Sequence, residues 1–361
     1  MNILFLPNWV VKISKVDLPE TQCPDKYIIE KPYWFFRHFT NKPHVDVIDI
    51  QPNNCLHKIE NKIKFYIWQA FLAYKVQNKY DVIISHGAQS GLVLSLLRTL
   101  TFCKSPKHII FDIGGMNGGR NNKIEIAMIK FALLSNPSII CHSKIIIDNY
   151  KKHFQNLVSK TKFIPFGCNT EEFCPKKNVT EKNQIIAFGY AKRDYHTLIE
   201  AFKRINHPDV KLKIIGLPHP LEEAKGNPFI EIIPKVPIEM LKQEIQASKF
   251  VIIPLPVFDY SYGQMSFLQS MSLGKAVIVT DTPSSADYHL PQQKAFTAVK
   301  PYDIEDMKEK IENFLNNKQL LIEATNEARP YVRNFFSEER MGKEIEQFIH
   351  NIIDKNRQVV I

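Results

Sequence analysis

Short apolar runs recur along the chain, separated by stretches long enough to hold a helix. The runs are rich in Ile, Val and Phe and lack a regular polar alternation, which is typical of strands buried on both faces of a parallel sheet. The pattern predicts these strands: Asn2–Phe5, His44–Ile48, Asp81–Ser85, His108–Asp112, Ser138–His142, Gln184–Phe188, Lys211–Ile215, Ile230–Ile233, Phe250–Pro254 and Ala276–Thr280. Their alternation with helices predicts an α/β protein built on doubly wound parallel sheets.

The chain is long enough for two domains, because its 361 residues exceed the size at which a single core keeps growing. A turn marked by Pro and Gly over residues 165–175, followed by a polar run over 176–183, separates the two sets of strands. We therefore predict two tandem Rossmann-like domains, over residues 1–172 and 173–337. Apolar residues at helical spacing predict a last helix over 338–357.

Composition narrows the class of protein. Hydrophobic residues make up 44% and charged residues 23% of the chain, which excludes a disordered or fibrous protein. A net charge of +10 favours contact with phosphates on nucleotides, nucleic acids or anionic membranes. The six cysteines form no CxxC pair, which indicates thiols in a reducing compartment. The first residues predict a strand rather than a signal peptide, so we expect a cytoplasmic or peripheral protein.

The stretch from Ser261 to Asp281 combines a small-residue turn, an amphipathic helix and a buried strand. Gly263 and its neighbours can present free backbone N–H groups where the turn enters the helix. The helix dipole adds roughly half a positive charge there, so a phosphate ester is the natural ligand. Gly274 suits the position just past the helix end.

This stretch resembles the donor-binding segment of GT-B glycosyltransferases of the family-4, or group 1, type. The family pattern is Glu, seven residues, Glu, then Ala-Met-x-x-Gly-Lys-Pro-Val-Ile-x-Thr-Asp. The chain matches it at Met271, Gly274, Lys275, Val277, Ile278, Thr280 and Asp281. Ser261 and Gln269 occupy the positions of the two family glutamates. The resemblance implies that both contact the ribose or sugar of the donor, whereas the plainer alternative for Gln269 is a solvent-facing or capping side chain.

A second stretch, residues 185–202, resembles the family segment whose Arg and Lys clamp the donor diphosphate. Arg193 falls on the family Lys, and Tyr190 falls on the family Arg with Lys192 as its nearby substitute. Such cations stabilise the negative charge that grows on the leaving diphosphate. The alternative is a solvated Lys-Arg pair on a loop.

The resemblance assigns further donor contacts in the second domain. It places the phosphates on Lys192 and Arg193 together with the backbone of Gly263, Gln264 and Met265. It places the nucleotide base at a loop that contains Gly216 and Lys235.

In the first domain, two strands end in polar residues that the resemblance places on an interdomain cleft. His86 opens the loop Ser85–Gly91, and Asp112 ends the next strand. We expect both to act as catalytic residues, and the alternative for His86 is a hydrogen-bonded turn histidine.

The function implied by the resemblance is transfer of a sugar from a nucleoside diphosphate donor to a hydroxyl of a glycan or lipid-linked acceptor, as in polysaccharide or lipopolysaccharide biosynthesis. It implies retention of configuration, an acceptor-side first domain onto which the last helix packs, and no cofactor besides the donor. We expect no metal ion, since no Asp-x-Asp motif occurs, and no nucleic acid partner. The alternatives are a nucleotide-sugar epimerase of the same fold, and a catalytically silent sugar-nucleotide-binding protein, which the loss of both glutamates favours.

Two basic and aromatic stretches leave a membrane hypothesis open. Lys31–Phe39 and Lys62–Lys75 interleave Lys or Arg with aromatic residues. This composition suits an interfacial element on an anionic membrane surface, and the alternative is a core-facing element with a solvated basic edge.

Overall fold

The computed structural model of the protein describes residues 1–18, 21–116, 122–219 and 221–357, with side chains up to residue 354. The chain forms two compact units. Unit 1 comprises Met1–Pro165, Asp259–Ser261 and the segment from Met341 onward, and unit 2 comprises Phe166–Phe258 and Tyr262–Arg340. Each unit holds a six-stranded parallel sheet, which confirms the predicted α/β fold class.

The sheet of unit 1 has the strand order β4-β1-β5-β6-β7-β8, and a separate parallel pair joins β2 and β3. The strands are β1 (Asn2–Leu6), β2 (Lys12–Ser14), β3 (Lys26–Ile28), β4 (His44–Val47), β5 (Val82–His86), β6 (Lys107–Asp112), β7 (Ser138–Cys141) and β8 (Thr161–Phe163). The central strands β1 and β5 are almost wholly buried, as parallel strands with helices on both faces must be.

The α-helices of unit 1 that precede residue 165 cover both faces of this sheet. They are α1 (His57–Ile63), α2 (Ile67–Val76), α3 (Ala88–Leu100), α4 (Lys123–Ala132), α5 (Lys144–His153) and α6 (Gln155–Val158). Short 3-10 helices cover Trp34–His38, Gln77–Lys79 and Leu133–Ser135. Helix α4 begins where the side chain of Asn122 accepts hydrogen bonds from the amides of Ile124 and Glu125, the usual device for capping a helix N-terminus.

Unit 2 repeats the plan with the strand order β11-β10-β9-β12-β13-β14. Its strands are β9 (Gln184–Phe188), β10 (Lys211–Ile215), β11 (Ile230–Ile233), β12 (Val251–Ile253), β13 (Val277–Thr280) and β14 (Phe296–Val299). Its helices are α7 (Tyr195–Lys203), α8 (Ile238–Ala247), α9 (Gln264–Ser272), α10 (Pro283–Ala286), α11 (Ile304–Asn316) and α12 (Lys318–Phe335), with a 3-10 turn at Glu222–Ala224. The last helix of the chain is α13 (Glu338–Arg357).

All ten predicted strands are present, and four further strands were missed. Three of these, β2, β3 and β8, are only three residues long and partly exposed, so they lack the apolar run that identifies a buried strand. The fourth, β14, lies at the sheet edge and buries only its first and last residues.

Helix α13 is joined to the N-terminal region of unit 1 by a buried carboxylate. Glu346, 6% exposed, accepts hydrogen bonds from the amide of Thr40 at 2.9 Å, the hydroxyl of Thr40 at 3.2 Å and the amide of Asn41 at 3.3 Å. A Cβ atom at Gly342 would lie 2.8 Å from the carbonyl oxygen of Phe35, so glycine is needed for this close approach. No helix in the described ranges is long and apolar enough to cross a membrane.

The aromatic residues of the Lys31–Phe39 stretch belong to the core. Trp34, Phe35 and Phe36 are 0–3% exposed, and Phe5 of β1 makes edge-to-face contacts with all three rings. Side chains buried to this extent cannot enter a lipid surface, so the interfacial interpretation of this stretch is wrong and the core-facing alternative holds.

The close approach of the backbone at Gly167 to the backbone at Ser337 and Glu338 leads to a prediction about stability. A Cβ atom there would lie 2.5 Å from the carbonyl oxygen of Ser337 and 2.8 Å from the Cα of Glu338, and backbone atoms cannot rotate away. We expect Gly167→Ala to lower the free energy of unfolding of unit 2 by about 2 kcal/mol or more. The control is Gly226→Ala, where φ is +75° but nothing lies within 4 Å, and where left-handed strain of about 1 kcal/mol is expected. Scanning calorimetry measures both, and a Gly167→Ala variant as stable as the control would contradict the argument.

Candidate functional site

Two glycines shape the carboxyl edge of the sheet in unit 2. Gly189 follows β9 with φ +122°, and Gly216 follows β10 with φ +117°, in the region that favours glycine. A Cβ atom on Gly216 would lie 3.1 Å from the carbonyl carbon of Gly189. The two turns therefore pack backbone against backbone, and the predicted base-loop residue Gly216 lies beside the loop that carries Lys192 and Arg193.

Arg193 crosses from this loop to helix α9. Its Nε donates to the carbonyl oxygen of Phe188 at 3.1 Å, and its Nη1 donates to the carbonyl oxygens of Ala191 and Lys192 at 3.2 and 3.1 Å. Its Nη2 donates to the hydroxyl of Ser266 at 2.8 Å. Arg193 is therefore not a solvated loop residue but a fixed guanidinium in contact with the first turn of α9.

The charge of Arg193 is not neutralised by the protein. Within the described ranges no carboxylate lies at ion-pair distance from its guanidinium, whose hydrogen bonds all end on neutral oxygens. Burial lowers the pKa of Arg193 below its ordinary value, because desolvation penalises the cation. A bound anion would compensate that penalty.

The first turn of α9 provides backbone donors next to this cation. Gly263 precedes the helix in the left-handed region with φ +81°, and no side chain caps the turn. The amides of Gln264 and Met265 find no hydrogen-bond acceptor among the residues that the structure describes. The side chain of Gln264 turns inward to the hydroxyl of Ser284, so only its backbone can serve a ligand. This arrangement of cation and free amides suits a phosphate group.

The predicted lysines lie at the border of this anion site. Lys192 is exposed, and its Nζ lies 5.8 Å above the ring of Phe258. Lys235, in the loop after β11, has its Nζ 5.8 Å above the ring of Tyr190, the residue that occupies the position of the family arginine. Lys235 is thus adjacent to the loop that holds Arg193, although the two residues are 42 positions apart.

The two positions of the family glutamates have different surroundings. Gln269 lies on α9 one turn after Met265 and is 9% exposed, so it does not face solvent, while the capping alternative stays open. Ser261 belongs to the short segment Asp259–Ser261, which groups with unit 1. Ser266, which links Arg193 to α9, was not predicted from the sequence. A hydroxyl residue in the first turn of a helix was the available signal.

In unit 1, His86 ends β5 inside a group of aromatic rings. Its ring centroid lies 4.9 Å from that of Trp9, 5.4 Å from that of Phe111 and 5.5 Å from that of Trp34. Its Nδ1 lies 3.3 Å from Oδ1 of Asn8, while its Nε2 is buried without a partner in the described structure. Burial, with a smaller contribution from His142, lowers the pKa of His86 to about 3. At neutral pH His86 is therefore an uncharged group with one unused ring nitrogen.

Further unused polar atoms belong to the same part of unit 1. A Cβ atom at Gly87 would lie 2.6 Å from Oε1 of Gln89, and that oxygen has no described partner. The Nε2 of Gln69 donates to the carbonyl oxygen of Pro7 at 2.7 Å, and its Oε1 is likewise unpaired. Buried polar atoms normally find partners, so these atoms are free to accept hydrogen bonds from a polar ligand.

Asp112 lies at the end of β6 with protein groups bound to both carboxylate oxygens. The side chain is fully buried, Tyr150 donates its hydroxyl to Oδ2 at 2.5 Å, and the amide of Gly114 donates to Oδ1 at 2.8 Å. Burial raises the pKa of Asp112, and these hydrogen bonds oppose the rise. Both carboxylate oxygens hold protein groups, so the visible contacts of Asp112 fix the turn after β6. No three His, Cys, Asp or Glu side chains of the described chain lie close enough to hold a metal ion.

Comparisons with known proteins identify the fold and a family resemblance of the second unit. Residues 169–334 match the family model described as "Glycosyl transferases group 1". HepE (Alr3699) of Anabaena in complex with UDP and glucose superimposes with TM-score 0.69 at 12% identity, covering 97% of this chain and 100% of that one. A glycosyltransferase of Rickettsia africae gives TM-score 0.69 at 17% identity, covering 98% of both chains. The lipopolysaccharide outer core galactosyltransferase WaaB gives 0.63 at 13% identity, covering 99% and 100%. No curated protein matches the chain by sequence.

Three buried histidines give a prediction about acid stability. Burial lowers the pKa of His86 to about 3 and that of His142 to about 4, and it holds the pKa of His108 well below its ordinary value. Between about pH 4 and 6.5 the unfolded state binds protons that the folded state does not. The contribution of these histidines to the free energy of unfolding therefore rises with pH through this range and is fully present above it, with each histidine adding at most about 1.4 kcal/mol per pH unit.

The variant His108→Gln isolates one of these contributions. The ring of His108 lies between the hydroxyls of Ser85 and Ser95, at 2.9 and 3.3 Å, and glutamine can bond to both. We expect the slope of unfolding free energy against pH between 4.5 and 6 to fall by about 1.4 kcal/mol per unit. Urea unfolding at several pH values measures it, with exposed His219→Gln as the control. An unchanged slope in the His108 variant would mean that this histidine is protonated in the folded state.

Proposed function

We infer that the chain is a glycosyltransferase, because residues 169–334 match the glycosyl transferases group 1 model and the chain superimposes on glycosyltransferases of the GT-B fold. We propose that it transfers a sugar from a nucleoside diphosphate donor to a hydroxyl of a glycan or lipid-linked acceptor. The transfer retains the configuration of the anomeric carbon and needs no metal ion.

One observation supports this proposal above the others. Arg193 is a half-buried cation to which the described part of the chain brings no carboxylate, and it is hydrogen-bonded to the first turn of a helix whose amides at Gln264 and Met265 have no described acceptor. A diphosphate supplies the missing negative charge and the acceptor oxygens in one ligand. Lys192 and Lys235 extend the positive surface toward the rest of the nucleotide.

The same groups serve the chemical step. When the bond between the anomeric carbon and the donor phosphate oxygen breaks, the electron pair stays on the leaving diphosphate. In this proposal the leaving diphosphate lies against Arg193 and the amides of α9, so these groups stabilise the transition state more than the ground state. The acceptor hydroxyl forms the new bond on the same face of the sugar and passes its proton to the leaving phosphate, so no protein nucleophile is required.

His86 acts in this proposal as a neutral hydrogen-bonding group. Because its pKa is about 3, it cannot serve as a cation or general acid at neutral pH. Its unpaired Nε2 can instead hold a hydroxyl of the acceptor or of the transferred sugar. The unpaired oxygen of Gln89 belongs to the same polar region and offers an acceptor to a second hydroxyl.

The substrates of the structural neighbours guide the choice of ligands to test. HepE of Anabaena is described with UDP and glucose, and WaaB is described as a galactosyltransferase of the lipopolysaccharide outer core. UDP-glucose and UDP-galactose are therefore the first donors to examine, and a glycan on a lipid carrier is the first acceptor.

The replacement of both family glutamates favours a second candidate, a protein that binds the donor without transferring the sugar. Gln269 retains an amide oxygen for the ribose diol but lacks the charge-assisted strength of a carboxylate. Release of free sugar from the donor when no acceptor is present separates the two candidates, since only an enzyme cleaves the glycosidic bond.

The first prediction concerns the guanidinium of Arg193. Arg193→Gln should weaken binding of a nucleoside diphosphate by roughly 1.5–3 kcal/mol, the range for a hydrogen bond to a charged group, and Arg193→Lys should lose less. UDP, GDP and ADP are screened by thermal shift, and calorimetry then measures the affinity of the best ligand. The control is Arg204→Gln, which removes an exposed guanidinium paired with Glu305 at the far end of α7. Equal affinities for Arg193→Gln and the native chain, with both variants folded, would remove Arg193 from the donor site.

The second prediction concerns Gln269. Gln269→Glu restores a charged acceptor for the ribose diol, so it should keep or improve nucleotide affinity and raise the rate of donor cleavage. Gln246→Glu on α8, another buried glutamine, is the matched control and should not improve binding. A tenfold loss of affinity in Gln269→Glu alone would show that the amide recognises a group that a carboxylate cannot.

A further inference from the structure

Helix α4 of unit 1 exposes an apolar stripe. Ile124, Met128 and Phe131 are 72%, 66% and 47% exposed, and their spacing of four and three residues places them on one side of the helix. The opposite side is packed into the core through Ile129 and Ala132, which are about 5% exposed. The helix is therefore anchored by one apolar face and presents a second apolar face to the outside.

The stripe continues onto neighbouring segments. Leu134 follows α4 at 68% exposure, and Leu100 and Phe102, after α3, are 58% and 88% exposed. Phe102, Phe131 and Leu134 line one cavity of 250 Å³, which shows that the segments are adjacent. Phe102 is held outward by a fixed turn, since its φ is +54° and its amide donates to the carbonyl oxygen of Thr99. We call the six residues Leu100, Phe102, Ile124, Met128, Phe131 and Leu134 the α4 patch.

Positive charge surrounds the α4 patch. Lys123 and Lys130 lie along one edge of the stripe on α4, and Lys104 lines the same cavity as Phe102. A second cavity of 420 Å³ begins at Leu134 and is lined by these basic residues: Lys130, Lys152, His153 and Lys160. Neither cavity has a carboxylate among its lining residues. The one acidic residue of α4, Glu125, is half-buried.

We propose that the α4 patch docks unit 1 onto an anionic lipid bilayer, with the apolar side chains in the interfacial region and the lysine-lined cavity around a lipid phosphate. An amphipathic helix with Lys on its polar edges binds in the plane of a membrane in this way. Each surface cation adds attraction to an anionic leaflet, and salt screens that attraction. The overall charge of +10 acts in the same direction.

The charge pattern selects the bilayer over a second copy of the chain. A symmetric dimer through the α4 patch would bring the lysines of two copies together without carboxylates between them, and such like-charge contacts oppose association. The surface differs from both stretches first considered for a membrane role, and it does not depend on the proposed donor chemistry. It gives the enzyme a location at which lipid-linked acceptors are concentrated.

Vesicle binding tests the proposal. The full chain is mixed with vesicles of neutral phosphatidylcholine, or with vesicles containing 30% phosphatidylglycerol, at low and high salt, and the bound fraction is measured by flotation. We expect binding to the anionic vesicles that falls at least fivefold on neutral vesicles and at high salt. Phe131→Ser with Leu134→Gln, and separately Lys130→Glu with Lys152→Glu, should each reduce binding at least fivefold. These side chains are exposed, so the fold should be unaffected.

Matched controls come from unit 2. Leu320→Gln with Ile322→Ser removes two exposed apolar side chains of α12, and Lys177→Glu with Lys318→Glu reverses two exposed charges. Both control variants should bind as the native chain does. If the control variants lose as much vesicle binding as the α4 patch variants, the binding comes from overall charge or from nonspecific hydrophobic contact. That result would overturn the α4 patch as the docking site.

A fluorescent reporter measures insertion directly. Leu134→Trp places an indole in the α4 patch, and brominated lipids should quench it, whereas Ile322→Trp should remain unquenched. An unquenched indole at residue 134, or no vesicle binding at any salt concentration, would overturn the proposal. Self-association that is lost in the Phe131→Ser, Leu134→Gln variant, without vesicle binding, would assign the surface to a second copy instead.

Discussion

Burial of parallel strands on both faces is the constraint on which each unit depends. A strand covered by helices on both faces cannot present functional side chains to a ligand along its length. All residues of β5 and β9 are buried. Polar groups are therefore restricted to the turns at the carboxyl edge of each sheet. His86 in unit 1 and the Gly189–Arg193 loop in unit 2 both lie there. The same constraint explains why Gly189 and Gly216 have no side chains, because adjacent strands bring their turns within contact distance.

The same constraint decided how much of the fold the sequence revealed. Ten strands were predicted because burial on both faces leaves continuous apolar runs such as Val82–Ser85 and Ile185–Phe188. The three-residue strands β2, β3 and β8 carry no such run, and their pairing is set by contacts distant in sequence. The aromatic stretch at Trp34 was ambiguous for a similar reason. Composition alone does not distinguish a ring packed on Phe5 from a ring that faces lipid.

The parts of the candidate site that are marked by local sequence signals could be predicted. The parts that depend on contacts between distant segments could not. Arg193 and the turn at Gly263 could be identified because each follows a recognisable strand or precedes a recognisable helix. The hydrogen bond between Arg193 and Ser266 joins residues 73 positions apart, and a hydroxyl residue in the first turn of α9 does not by itself identify its partner. Asp112 illustrates the same limit, and its catalytic role stays a prediction. A carboxylate at a strand end suggests catalysis, and only the positions of Tyr150 and Gly114 reveal that its oxygens hold the protein itself.

The carboxylate of Glu346 has a consequence for how the chain is made. It accepts hydrogen bonds from Thr40, which lies 306 positions earlier in the sequence. Unit 1 therefore includes a contact between two segments that are far apart in the chain. A ribosome delivers Thr40 long before it delivers α13, and over that interval the backbone groups at Thr40 have no carboxylate to bind. Unit 2 can fold during this interval. Its strands and helices α7–α12 are continuous in sequence apart from residues 259–261. The first domain to leave the ribosome is thus the last to be completed.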